Sequence, residues 1–168
     1  METFQLSEKL LKKIADLISA KKNTPLKKIV KDIHFADMAE IINELNEQQG
    51  IYLIKLFDSE KTSEILTELD EDVREKILKA LSVKEIADEI EELDSDDAAD
   101  ILGELSDERK EEVISEISDD NLADDLKELL SYEEDSDGGL MAKELVQANE
   151  NWSVTKCLKE IKKQGENV

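Results

Sequence analysis

The sequence has few of the residues that mark catalytic or disulfide-bonded proteins. Among its 168 residues there is one histidine, one cysteine and one tryptophan. A lone cysteine has no partner for a disulfide within the chain, which agrees with a reducing compartment. The catalytic motifs H-E-x-x-H and G-x-S-x-G and a phosphate-binding loop are all missing from the sequence. We therefore predict that the chain is not an enzyme.

Long apolar segments are missing as well. No run approaches the roughly 20 apolar residues that a membrane-spanning helix needs, and the N-terminus lacks the apolar segment of a signal peptide. Aromatic residues make up only 4% of the chain, so its core must consist mainly of Ile, Leu, Val and Ala. From these features we expect a soluble, intracellular chain.

Basic residues are scarce outside the N-terminus. Residues 1–31 contain eight lysines and three acids, whereas residues 32–137 contain 37 acids and nine bases. This charge disfavours nucleic acid as a partner and suits divalent cations or a basic protein surface. The same acids also suit a helical array that they merely keep soluble. Charge alone leaves both interpretations open.

The sequence does contain a twelve-residue repeat. Every twelfth residue from Ile42 to Leu126 is apolar, and so is every twelfth residue from Leu45 to Leu129. One place after this second row come residues that cap helix N-termini, namely Asn46, Asp58, Asp70, Ser82, Asp94, Ser106 and Ser118. Each unit is thus a cap and a helix of about three turns, which is marginal alone and must stack on its neighbours.

We predict an all-α fold, a right-handed superhelix (solenoid), with at least eight short helices between residues 32 and 131. Two further helices before the repeat should close its end, the second capped by Thr24 with Pro25 at its first position. The helical domain then comprises residues 1–131, and residues 132–168 form a separate unit.

The unit DSDDAADILGEL, residues 94–105, carries the candidate site. Asp94 and Asp97 have a local role as cap and first-turn residues of a helix. Asp96 and Asp100 have no such role, and like charges four residues apart on a helix repel. Gly103 shares their face and weakens the helix, which suits a face left bare for an approaching partner. Two carboxylates form a partial Mg²⁺ site that another surface must complete.

Acidic residues also recur at the repeat position of Asp100. Because alternate helices of a stacked array share one side, we expect four of these acids to line a single ridge: Glu40, Glu64, Asp88 and Glu112. Such a ridge would offer further cation sites, although outer positions in so acidic a chain are often acidic in any case.

Three segments resemble the cytoplasmic N-terminal domain of MgtE-type magnesium transporters. They are HFADMAEIINEL at 34–45, DSDDAADILGEL at 94–105 and LLSYEEDSDGGLMAKELV at 129–146. The last resembles that family's junction into its first CBS domain. The sequence departs from the family at Phe35, Ala142 and Lys143, where Pro, Thr and Pro are expected.

The resemblance implies a regulatory domain of a Mg²⁺ channel or carrier, on the cytoplasmic side of the cell membrane, that closes the pore when intracellular Mg²⁺ is high. It implies Mg²⁺ ligands at Glu64, Asp96 and Asp100, which face the CBS domains of the same protein. It also implies a homodimer formed through the CBS and transmembrane domains, with membrane contact through the latter alone. Residues 132–168 would then be the junction and the truncated start of a CBS domain, about one strand and one helix.

Two other interpretations involve no ion. An acidic helical scaffold and an interaction domain like that of a flagellar rotor-switch protein have similar arrays of short helices. The junction from Tyr132 to Met141 argues against both.

Overall fold

The computed structural model describes residues 6–132, 136–138, 141–144, 146 and 148–164. Regular structure in these residues is entirely helical, so the all-α prediction is confirmed. The helices are α1 (Glu8–Ser19), α2 (Asn23–Val30), α3 (Phe35–Asn43), α4 (Glu47–Ile54), α5 (Ser59–Glu68), α6 (Glu71–Ala80), α7 (Val83–Ile90), α8 (Ser95–Gly103), α9 (Asp107–Glu116), α10 (Asp120–Leu129) and α11 (Val154–Gln164). Eight of them, α3 to α10, lie between residues 32 and 131, as predicted.

The predicted caps mark where the repeated helices begin. The N-cap residues of α4 to α9 are those expected from the repeat: Asn46, Asp58, Asp70, Ser82, Asp94 and Ser106. Ser82 and Glu85 form a reciprocal capping box. The prediction for α10 is wrong by one residue. Asp119, and not Ser118, is its N-cap, since the Asp119 carboxylate accepts the Asn121 N–H at 2.9 Å.

The repeated helices pack in two rows. In one row α3, α5, α7 and α9 pack against each other in succession; in the other, α4 packs on α6 and α8 packs on α10. The structural repeat is therefore two sequence units, or about 24 residues. Between α6 and α8 the packing is weaker than between the other neighbours, and this is where the cleft described below lies.

The first apolar row of the sequence forms the core between these helices. Seven of its eight members are buried and Ile114 is half-buried; the seven are Ile42, Ile54, Leu66, Leu78, Ile90, Leu102 and Leu126. Leu66 and Leu102 are at most 1% exposed. The twelve-residue spacing thus predicted the core correctly, because each helix buries the same positions against its neighbours.

Long basic side chains tie units together across the array. Lys61 of α5 donates to the carbonyl of Val30, the last residue of α2, and to that of Ile33 in the turn that follows. Arg109 of α9 donates to the carbonyls of Leu78 and Leu81 at the end of α6. These bonds satisfy carbonyl groups that a helix end leaves without partners.

The predicted start of α2 is wrong. The helix begins at Asn23, with Lys22 as an N-cap residue whose side chain makes no capping bond, so Thr24 is not the cap. Lys21 makes the turn out of α1 with a left-handed φ of 51°. Since the chain turns there, α2 starts at once and Pro25 lies at its third position, where a missing N–H still costs no helical bond.

The segment after α10 is packed differently. Residues 141–144 are half-buried against the array, but none of the described side chains of α11 is buried. Cys157, the lone cysteine, is half-exposed on α11. The expected strand is not found among the residues described between 141 and 153. Nor does any described helix have the length and apolar character needed to cross a membrane.

Candidate metal site

Helix α8 carries two of the three predicted ligands. Ala98, Ile101 and Leu102 bury one side of the helix in the core. Asp96 is half-buried and Asp100 is exposed, away from that core. In the part of the chain that the structure describes, neither carboxylate forms an ion pair or a side-chain hydrogen bond. The two carboxylates therefore lie on one helix without a direct ion pair, although Arg74 and Lys110 line the same cleft as Asp100.

The pKa values of two aspartates on α8 are raised. Partial burial raises the pKa of Asp100, and the neighbouring carboxylate of Asp96 raises it further, against a smaller opposite effect of Arg74. Partial burial and the charges of Asp96 and Asp94 also raise the pKa of Asp97. The part of these shifts that comes from neighbouring carboxylates is a repulsion that a cation bound on this face would relieve.

Asp100 lines a cleft of ≈ 460 Å³ between α6 and α8. A half-buried ion pair lines the cleft: Arg74 of α6 donates through Nε and Nη2 to Oε1 of Glu104. Arg74 also donates to the carbonyl of Leu66 at 3.1 Å. The Oε2 atom of Glu104 is buried without a hydrogen-bond partner among the described residues. The cleft thus brings positive and negative side chains together.

Glu64 does not join the pair on α8. It is exposed on α5, which belongs to the other row of helices. Among the described residues, no three Asp, Glu, His or Cys side chains are arranged to hold one metal ion. Within this chain, Glu64, Asp96 and Asp100 therefore do not form one closed set of ligands.

The predicted acidic ridge falls on one row of helices. Its four acids lie on α3, α5, α7 and α9, which pack in succession. Glu40, Glu64 and Glu112 are exposed, while Asp88 is half-buried and pairs with Lys84 at 3.5 Å. The structure thus places these acids on a common row. That they bind cations remains a prediction.

The predicted capping bond of Asp94 is wrong. Asp94 is the N-cap residue by position, but its side chain makes no capping bond. Instead, Glu144 accepts the backbone N–H of Ser95 at 3.0 Å, and its other oxygen accepts the Ser95 hydroxyl at 2.9 Å. The N-terminus of α8 is therefore capped by a carboxylate 49 residues further along the chain.

Lys143 holds the same segment at two points. Its backbone N–H donates to the Ser95 hydroxyl oxygen at 2.8 Å, and its Nζ pairs with Glu128 of α10 at 2.8 Å. This pair lowers the pKa of Glu128 and raises that of Lys143. A proline at position 143 would have no N–H to give to Ser95.

Glu89 of α7 was missed by the sequence interpretation. It is 9% exposed, and its Oε2 has no hydrogen-bond partner in the described structure. Burial, followed by the charges of Asp88 and Glu85, raises its pKa to about 8. The repeat held a signal for this residue, because six of the other seven units place a buried aliphatic residue at its position and the seventh has the half-buried Asp125. The six are Ile41, Leu53, Ile65, Ile77, Ile101 and Val113.

A family model described as the MgtE intracellular N domain matches residues 33–135, more than half of the chain. The chain belongs to this family. The match covers α3 to α10, which include the acidic face of α8. Membership of this family of transporter domains confirms that the chain is not an enzyme. A search of curated proteins found no similar sequence.

Two solved structures share the fold of this MgtE-family chain. The cytosolic domain of the Mg²⁺ channel MgtE in complex with ATP matches with a TM-score of 0.79 and 24% identity, over 94% of this chain and 64% of that one. The soluble part of a magnesium transporter matches with a TM-score of 0.72 and 20% identity, over 95% of this chain and 62% of that one. The chain thus spans less than two thirds of either structure.

Proposed function

We propose that this chain is the Mg²⁺-sensing regulatory domain of an MgtE-type Mg²⁺ channel or carrier, on the cytoplasmic side of the cell membrane. Residues 1–131 are its helical N domain, and residues 132–168 lead into the first CBS domain. Membership of the MgtE N-domain family supports the link to a transporter. The sensing role is carried by one observation: Asp96 and Asp100 share a helix without an ion pair in the described structure, and the pKa of Asp100 is raised.

In this proposal the α8 pair supplies part of a Mg²⁺ site. Mg²⁺ takes oxygen ligands in octahedral geometry and keeps several of its waters, so one or two carboxylates suffice on each side of a shared site. Asp96 and Asp100 form one side on α8, and Glu64 acts from the neighbouring row. Carboxylates of the CBS domains in the homodimeric protein complete the coordination.

Regulation then follows from charge. Without Mg²⁺ the facing acidic surfaces repel each other, and the N domain stays apart from the CBS domains. Bound Mg²⁺ neutralises both surfaces and binds more tightly when they are close. That difference in affinity shifts the population towards the closed pore.

The test is the double substitution Asp96→Asn with Asp100→Asn. Its effect on the melting temperature of this chain should be slight, since neither side chain lies in the core or caps a helix. In the full-length transporter, it should raise the Mg²⁺ concentration needed to shut the pore and to protect the region after α10 from protease. A matched control is Glu108→Gln with Glu111→Gln, which removes two exposed acids one turn apart on α9.

The control should close at the wild-type Mg²⁺ concentration. If the α8 double variant did so too, Asp96 and Asp100 would be ordinary solvated charges. The interpretation as an acidic scaffold would then account for α8 equally well.

A further inference from the structure

The segment 141–144 is attached to the array at one buried residue. Ser95 is 0% exposed, and three hydrogen bonds converge on it from Lys143 and Glu144. Beside them, the Lys143 ammonium pairs with Glu128 of α10, and Met141 packs against the core. These contacts hold one short segment to both α8 and α10.

The contact at Ser95 substitutes for a local cap. Helix α8 begins with free N–H groups that its own N-cap residue, Asp94, leaves unbonded through its side chain. Glu144 supplies the missing acceptor and places a negative charge at the positive end of the helix. Hydrogen bonds from N–H and O–H groups to an ionised carboxylate are stronger than neutral ones. The first turn of α8 therefore depends on the segment that follows α10.

That first turn also carries the candidate ligand Asp96, the residue next to Ser95. In a helix of nine residues, loss of the N-terminal cap frays the turn that sets the distance from Asp96 to Asp100. We propose that Ser95 and Glu144 form a latch that joins the segment after α10 to α8 and positions Asp96, so that docking of this segment and Mg²⁺ binding on α8 strengthen each other. The second half of this inference rests on the proposed function.

Docking of the segment and Mg²⁺ binding on α8 must favour each other equally, because the two equilibria are thermodynamically linked. If the docked segment orders the turn that binds Mg²⁺, then bound Mg²⁺ must favour the docked segment by the same factor. Glu144 is thus a positioning residue for the α8 pair and a direct connection between that pair and the chain leading away from the array.

The rate of trypsin cleavage after Lys143 measures how often the latch opens, because the cleaved peptide bond joins Lys143 to Glu144. With EDTA present, Glu144→Ala and Ser95→Ala should each raise the cleavage rate on the order of tenfold, since cleavage tracks the population of the open state. Glu144→Gln, which keeps an acceptor and loses the charge, should lie between these variants and the wild type. Glu150→Ala removes an exposed carboxylate nearby and should leave the rate unchanged.

A thermal melt by circular dichroism shows whether each variant remains folded, and hydrogen exchange at the Ser95 amide provides a second measure of the latch. Unchanged cleavage and unchanged Ser95 exchange in Glu144→Ala would overturn the latch. This result does not depend on whether Mg²⁺ binds.

The coupling is measured by repeating the digestion with Mg²⁺ alone. Mg²⁺ should slow cleavage after Lys143 in the wild type and should have little effect in Asp96→Asn with Asp100→Asn. Equal slowing in both proteins would overturn the coupling to the α8 pair. If the Ser95 and Glu144 variants speed cleavage in EDTA but Mg²⁺ does not slow cleavage of the wild type, the coupling would be overturned and the latch itself would be supported.

Discussion

The array α3 to α10 and the helix α11 have similar amphipathic sequences but different surroundings. Leu102 of α8 is 0% exposed, whereas Leu158 and Val154 of α11 are 57% and 77% exposed. In the array each apolar stripe meets a helix two units away. Apolar periodicity therefore shows which side of a helix is able to be buried, but it does not show whether a partner is present.

The largest expected effect is the loss of stability when a buried leucine of the array is replaced by alanine. Leu102→Ala should lower the free energy of unfolding by about 2 to 5 kcal/mol, because it leaves a cavity in a shared core. Leu66→Ala should do the same in α5. The matched substitution Leu158→Ala in α11 should cost less than about 0.5 kcal/mol, because that side chain is already largely in solvent. Urea unfolding followed by circular dichroism measures all three.

A loss below about 0.5 kcal/mol for Leu102→Ala would mean that the apolar row is not the core that holds the units together. A loss of several kcal/mol for Leu158→Ala would show that α11 is packed in solution in a way that its exposure does not indicate.

The second prediction concerns Glu89, which is buried at a repeat position that most units fill with an aliphatic residue. Glu89→Leu should stabilise the array, and the gain should grow with pH. The pKa of Glu89 is about 8 in the folded chain, above that of an unfolded glutamate, so the folded state holds the proton more tightly. The wild type therefore loses stability as pH rises from about 4.5 to 8, and Glu89→Leu escapes this loss.

Between pH 5 and pH 8, the difference in unfolding free energy between Glu89→Leu and the wild type should increase by roughly 1 to 3 kcal/mol. Comparing the two proteins at each pH cancels the titration of the other acids. A difference that stays constant with pH would show that Glu89 does not change its charge in this range.

The sequence predicted those parts of the fold that repeat or are local. The capping box of Ser82 and Glu85 lies within four residues, and the burial of Leu102 follows from its place in the apolar row. The bond from Ser95 to Glu144 is neither repeated along the chain nor local, since it joins positions 49 residues apart. The sequence therefore did not predict it. Asp94 was the expected cap because a local partner is the simplest one.

In the candidate site, too, the local relations were predicted and the long-range relations were not. The spacing of Asp96 and Asp100 placed both on one face of α8, because that relation is local. Their relation to Glu64 depends on which row each helix joins, and α5 and α8 join different rows. The burial of Glu89 was predictable from the repeat, since six of the seven equivalent positions are aliphatic and buried.

The smallest expected effect compares a glycine in the array with a glycine in the segment that follows it. In α8, a Cβ atom built on Gly103 meets nothing within 4 Å, whereas one built on Gly138, after the array, would lie 2.6 Å from the Tyr132 ring. Gly103→Ala should therefore stabilise the chain by about 0.5 to 1 kcal/mol, because alanine favours the helix. Gly138→Ala should bring no such gain and should shift the NMR signals of the Tyr132 ring.

Gly103→Ala also tests whether the face of α8 is left bare for a partner. In the full-length transporter, a methyl group on that face should hinder close approach and raise the Mg²⁺ concentration needed for closure, although the isolated chain becomes more stable. Stability and closure would then change in opposite directions. If closure were unaffected while stability rose, the partner surface would not reach Gly103, and the glycine would simply be a weak point of the helix.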